Sequence, residues 1–205
     1  MIRNLVFDFG KVLVDYDFGR FLSTFIDNPE TKSWFMQATC NSEFVNRCDK
    51  GDETFEEIIR DAQAHYPQWR RELQIFHDRQ IEALTGEVAG MSELLSTLKG
   101  EGYHLYGLTN WSNAVYAVMR KYGIFRLLDG QVISSEEHLI KPDPAIYHRL
   151  FDRFGLKPEE CVFTDDKAEN IEGSRAVGME GIVFRDARQY ERELRAIIDR
   201  NATGF

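Results

Sequence analysis

Apolar residues follow two rhythms along the chain. Short runs at positions 2–7, 103–108, 131–134, 160–164 and 181–184 are dense in Ile, Val, Leu and Phe without helical spacing, which predicts strands buried on both faces. Between them, apolar residues recur every three or four positions over 91–99, 113–122, 145–154 and 170–177. That spacing predicts helices, and Gly100, Gly123, Gly155 and Gly178 follow as their expected left-handed stops. A charged helix over 188–200 turns Leu194, Ile197 and Ile198 inward. Strand and helix alternating in this way predict an α/β fold with a doubly wound parallel sheet.

Residues 16–87 break the rhythm, because about 70 residues pass after the first strand without a convincing strand signal. Helical spacing over 18–26, 30–37, 52–65 and 67–84 predicts an inserted helical bundle, and Thr54 with Glu57 offers a capping box. Its aromatic residues, among them Phe21, Phe35 and Phe76, are expected to form the bundle's own core. The division predicted is a core of residues 1–15 and 88–205 and a helical cap of residues 16–87, hinged near positions 15 and 88.

Composition narrows the function classes. With 25 basic against 34 acidic residues the net charge is −9, which disfavours nucleic acid or an anionic membrane as partner. No basic leader and no stretch of 18 apolar residues is present, so a soluble, cytoplasmic protein is expected. Cys40, Cys48 and Cys161 are odd in number and form no C-x-x-C pair, which indicates neither a disulfide framework nor a structural zinc site.

In an open α/β sheet, ligands bind beyond the C-terminal ends of the strands. The polar residues at those ends are Asp8, then Thr109 and Asn110, then Lys141, then Asp165 and Asp166. Each has an ordinary reading on its own: Asp8 as a turn residue, Asp165 and Asp166 as a helix cap, Lys141 as an exposed charge. Together they are three carboxylates that would repel one another unless a divalent cation sat among them. Mg²⁺ fits that set, Lys141 would balance phosphate charge, and an aspartate is a competent nucleophile toward phosphorus.

In this order the segments Phe7-Asp8-Phe9-Gly10-Lys11-Val12-Leu13-Val14-Asp15, Leu108-Thr109-Asn110, Lys141-Pro142-Asp143-Pro144 and Phe163-Thr164-Asp165-Asp166-Lys167-Ala168-Glu169-Asn170-Ile171-Glu172-Gly173 resemble the haloacid dehalogenase (HAD) superfamily in its subset with a helical cap after the first strand. Asp8-x-Gly10-x-Val12 followed by Asp15-x-Asp17-Phe18 looks most like the sugar-phosphatase branch that includes α-D-glucose-1-phosphate phosphatase. The resemblance implies a Rossmann-like core and a phosphatase of small phosphorylated metabolites, as monomer or homodimer. It further implies Asp8 as nucleophile and metal ligand, the Gly10 carbonyl and Asp166 as ligands, and Asp165 holding a metal-bound water or orienting Lys141. Thr109 and the Asn110 amide would grip phosphate, and Lys141 would bridge nucleophile and phosphate.

One position departs from the family's phosphatase pattern. Two residues after the nucleophile that pattern has a second Asp, which protonates the leaving group, whereas this chain has Gly10. A general acid contributes about 10² to 10⁴ in rate. Three readings follow: a phosphatase with an easy leaving group or a substitute acid, a 2-haloacid dehalogenase that needs no proton, or a non-catalytic phospholigand-binding protein. Asp17, Asp49 and His65 are the conceivable substitutes, and Trp111 is a candidate wall of the pocket.

Overall fold

The computed structural model describes residues 1–203. After β1 (Asn4–Phe7) and a short β2 (Val14–Tyr16), the chain forms five helices: α1 (Phe18–Leu22), α2 (Pro29–Thr39), α3 (Ser42–Lys50), α4 (Phe55–His65) and α5 (Arg70–Arg79). It returns through β3 (Leu84–Glu87) and then alternates: α6 (Met91–Gly100), β4 (His104–Thr109), α7 (Val115–Lys121), β5 (Gly130–Ile133), α8 (Ser134–Glu137) and α9 (Pro144–Phe154). It ends with β6 (Cys161–Asp165), α10 (Ala168–Ala176), β7 (Glu180–Val183) and α11 (Ala187–Thr203).

Five strands form one parallel sheet in the order β5-β4-β1-β6-β7. Side chains alternate across it, so Leu5 and Phe7 pack with Leu95, Leu98, Tyr190 and Leu194 on one face while Val6 packs with Ile146, Leu150 and Phe163 on the other. Burial on both faces explains the continuous apolar runs. The central strand β1 has β4 on one side and β6 on the other, so successive crossovers leave it in opposite directions and open a crevice at its C-terminal end. This is the predicted doubly wound α/β architecture.

The insert differs from expectation in three places. β2 and β3 pair antiparallel, Val14 with Glu87, forming a two-stranded ribbon where the chain leaves and re-enters the sheet domain. The helix expected over 67–84 breaks into 3₁₀ turns at Pro67–Trp69 and Gln80–Ala83 around α5, and its last residue, Leu84, begins β3. Helix α3 covers a segment with no predicted element; it is capped by Asn41, whose side chain accepts from the Phe44 amide, and it buries no residue fully. The capping box of α4 is present, with Thr54 and Glu57 exchanging hydrogen bonds. Phe21, Leu22, Phe35, Ile59, Leu73 and Phe76 form a separate apolar cluster inside the insert. Of the predicted helix stops, Gly155 and Gly178 take the left-handed conformation, Gly100 is still helical with Gly102 turning instead, and Gly123 opens a 3₁₀ turn.

The insert is seated on the sheet domain through α3 and α8. Ser134 Oγ donates to the Asp49 carbonyl at 2.5 Å, and His138 Nδ1 meets Asp52 Oδ1 at 3.1 Å. Gly51, at φ 73°, ends α3 against Ser135 so closely that a Cβ there would fall 2.3 Å from the Ser135 carbonyl oxygen. Only glycine fits that approach.

Candidate active site

The crevice beyond β1 collects the charged residues. Asp8 follows β1 directly, Asp165 is the last residue of β6, and Lys141 comes from the loop between α8 and α9, 4% exposed. The Lys141 ammonium donates to Asp8 Oδ1 at 2.9 Å, to Asp165 Oδ2 at 2.7 Å and to the Leu108 carbonyl at 2.9 Å. All three protons of the amine are therefore used. Asn110 fixes the backbone of the same lysine from both sides: the Lys141 amide donates to Asn110 Oδ1 at 2.8 Å and Asn110 Nδ2 donates to the Lys141 carbonyl at 3.0 Å.

Asp165 is fully buried, and beyond Lys141 its carboxylate accepts from the Lys167 amide at 2.8 Å and from Asn170 Nδ2 at 2.9 Å. Tyr147 in turn donates to the Asn170 carbonyl at 2.7 Å, which steadies the start of α10. Asn170 belongs to the recognised motif but carried no expected role; its place five residues after Asp165, one turn into a helix, is the signal that finds it.

Electrostatics mark this cluster. Burial raises the Asp8 carboxyl to about 6, with Lys141 pulling down and Asp165 pushing up. Burial and the Asp165 charge raise Asp166 also. Burial alone would lower the Lys141 amine, yet Asp165 and Asp8 more than reverse it and hold it protonated. One ammonium thus faces three carboxylates, an imbalance of sign that a cation relieves.

The donors present suit such a cation. One carboxylate oxygen from each of Asp8, Asp165 and Asp166 lies within 4.8 Å of the others. In the turn after Asp8, the internal hydrogen bonds run to the Phe9 and Val14 carbonyls and leave that of Gly10 out of the network. Hard oxygen donors of this kind match magnesium or calcium rather than a soft metal. Thr109 adds a second indication: its hydroxyl is buried at the end of β4 and has no hydrogen-bond partner. An orphaned buried hydroxyl costs about 1–3 kcal/mol, which a bound acceptor would recover.

The rim comes from the turn and the insert. A Cβ on Gly10 would lie 3.2 Å from the Tyr16 ring and 3.7 Å from the Trp111 indole, so these two aromatics close the space a longer side chain would use. Trp111 is held by its amide, which donates to Ser134 Oγ at 2.9 Å. Lys11, at φ 62°, pairs with Asp15 and donates to the Tyr16 carbonyl, so Asp15 tethers the turn. A separate cleft of about 630 Å³ lies on the other side of Tyr16, between Lys11, Asp17, Phe18, Met36 and Cys40, and is lined by none of the strand-end residues. Of the conceivable substitute acids, Asp17 caps α1 by accepting from the Arg20 amide and His65 is exposed beside Asp61. Asp49 lies within electrostatic reach of Asp8 and Lys141.

A parallel sheet with a buried lysine bridging two strand-end aspartates, and a third aspartate beside them, defines a hydrolase class built on acidic strand ends. Residues 2–178 match the haloacid dehalogenase-like hydrolase family, and the chain belongs to it. Among curated relatives it is 33% identical over 111 residues to the sesquiterpene phosphatase astK of Aspergillus oryzae, covering 54% of this chain and 57% of that protein. It is 29% identical over 105 residues to a flavin mononucleotide hydrolase of Arabidopsis thaliana, covering 51% and 43%. To (S)-2-haloacid dehalogenase 4A of Burkholderia cepacia it is 31% identical over 88 residues, covering 42% and 38%. The aligned part thus spans about half the length of these relatives, or less. In fold it is similar to a HAD family enzyme of Bacteroides thetaiotaomicron solved with magnesium and inorganic phosphate, with TM-score 0.72 at 19% identity over 91% of this chain and 96% of the other. No helix among the described residues is long and apolar enough to cross a membrane.

Proposed function

We propose that the chain is a magnesium-dependent phosphomonoesterase that hydrolyses a small phosphorylated metabolite, of the sugar-phosphate class, through an aspartyl-phosphate on Asp8. The observation that carries this reading is the buried Lys141 ammonium shared between Asp8 and Asp165 beside the unpartnered Thr109 hydroxyl. That arrangement suits a phosphate arriving at Asp8: Thr109 and the Asn110 amide hold its oxygens, and Lys141 bridges it to the nucleophile. Asp8, the Gly10 carbonyl and Asp166 would hold the magnesium, with Asp165 reaching it directly or through a water while orienting Lys141. Bound there, the ion supplies neutralising charge for the transferring group.

Residues 16–87 act as a cap on the core of residues 1–15 and 88–205, with the leaving group between the strand ends and the insert, where Tyr16 and Trp111 stand beside Gly10. Closure of the cap would exclude bulk water. Gly10 on its own would also suit halide release, but three carboxylates gathered for a cation have no purpose in that chemistry.

Phosphate release from p-nitrophenyl phosphate and a panel of sugar 1-phosphates, with and without magnesium, tests the reading. Turnover should require magnesium and fall at least about 10⁴-fold in Asp8→Asn, since the covalent step is removed. Equal activity in that variant, or halide release from a 2-haloacid without magnesium, overturns the assignment.

A further inference from the structure

Gly10 leaves the phosphatase reading without a proton donor for the leaving oxygen, and the insert supplies a carboxyl at the same crevice. Asp49 is the penultimate residue of α3. Its carbonyl accepts from Ser134 Oγ at 2.5 Å, and the same hydroxyl receives the Trp111 amide at 2.9 Å, one residue beyond the Asn110 that clamps Lys141. Two hydrogen bonds therefore connect the backbone of Asp49 to the loop that forms the phosphate-facing wall. The Gly51 stop against Ser135 fixes the end of the helix there. The Asp49 side chain lies within electrostatic reach of Asp8, Lys141, Lys167 and Tyr16 but makes no hydrogen bond or ion pair with any of them.

We propose that the Asp49 carboxyl, held over the crevice by the Ser134 tether, is the acid and base that this chain uses in place of a side chain at position 10. The proposal rests on the phosphatase reading and deepens it. In the first half-reaction a carboxylate oxygen of Asp8 bonds to phosphorus as the bond from phosphorus to the leaving oxygen breaks, and the Asp49 proton passes to that oxygen to give the free alcohol. In the second, the Asp49 carboxylate takes a proton from water as the water oxygen attacks phosphorus. The bond from Asp8 to phosphorus then breaks, releasing inorganic phosphate, and Asp49 is protonated again.

Two properties of the site favour Asp49 over its neighbour Tyr16. Asp49 carries a carboxyl that can both give and take a proton, and burial holds it above the ordinary carboxylate range. The Tyr16 phenol is pushed up to about 12, first by burial and then by Asp166, Asp8 and Asp49, so it stays protonated and cannot serve as the base. Tyr16 is better placed as wall and spacer, its ring filling the room beside Gly10.

Rapid-mixing kinetics of Asp49→Asn on two substrates, with magnesium present, tests the assignment. With p-nitrophenyl phosphate, whose leaving group needs no proton, the variant should release one equivalent of p-nitrophenolate at close to the wild-type rate and then stall with the aspartyl-phosphate accumulated. With a sugar 6-phosphate, whose leaving alkoxide needs the proton, it should show no burst and a turnover about 10² to 10⁴-fold below wild type. Tyr16→Phe should show neither the burst nor the selectivity. Undiminished turnover of both substrates in Asp49→Asn overturns the proposal, as do equal losses in the burst and in sugar-phosphate turnover or transfer of the signature to Tyr16→Phe. Circular dichroism confirms that each variant is folded. A wild-type protein that turns over neither substrate removes the phosphatase reading and the proposal with it, and is distinguished from the other failures because it appears before any substitution is made.

Discussion

The sheet domain and the helical insert handle charge in opposite ways. In the insert, Arg47 pairs with Glu53 and Asp61, Arg79 with Glu82 and Arg60 with Glu56, all open to water, while the interior is largely aromatic. Exposed pairs of this kind contribute little, and the insert is held by Phe21, Phe35 and Phe76. In the sheet domain the interior is equally apolar, yet at one rim Lys141, Asp8 and Asp165 are buried together. Removing charges from water costs several kcal/mol per ion, and good geometry only offsets it. The contrast separates residues that hold the fold from charged residues buried at a cost to it.

Four substitutions sharpen that contrast. Lys141→Met should cost about 3–5 kcal/mol in denaturant unfolding of the metal-free protein, because it leaves Asp8 and Asp165 buried without their counter-charge. Magnesium should recover part of the loss; a loss below about 1 kcal/mol would mean that water reaches the cluster. Phe35→Ala removes a fully buried ring from the insert and should cost about 3–4 kcal/mol by the same measurement, with no recovery by magnesium.

Asp49→Asn should act with opposite sign. A carboxyl whose folded pKa is raised to about 7 binds more protons in the native state than in the unfolded one, so stability falls as pH rises from about 4 to about 7. The variant lacks that slope. In metal-free protein it should be more stable than wild type at pH 8 by about 1–2 kcal/mol, or a few degrees in thermal midpoint, and equal to it at pH 4. Parallel stability curves for the two proteins would show that Asp49 is not desolvated. Arg47→Ala, which breaks an exposed pairing, should cost at most about 1 kcal/mol, and less in high salt.

What could be read from the chain alone follows the same division. The strands of the sheet are short apolar runs ending in polar residues, so both the parallel sheet and the list of strand-end groups are visible locally. Asp8, Thr109, Asn110, Lys141, Asp165 and Asp166 all lie at the crevice. The ribbon of β2 and β3 was not legible because each has three or four residues and pairs across about 70 positions, with Val14 opposite Glu87. Helix α3 was hidden by its surface character: Ser-Glu-Phe-Val-Asn-Arg-Cys-Asp-Lys buries nothing fully, and only the Asn41 cap and the Gly51 stop announce it. Asp49 could be named as a candidate but not placed, since its position depends on where α3 docks. Tyr16 gives no local signal either, because its proximity to Gly10 arises from the folding back of the turn.

The insert's share of the α3 seat is largely backbone: a carbonyl at Asp49 and a bare Cα at Gly51, set against the Ser134 hydroxyl and the Ser135 carbonyl, with the Asp52–His138 pair beside them. Such a joint does not depend on which side chains the rest of the insert carries. Residues of the insert away from that joint can therefore change without disturbing how it meets the sheet domain.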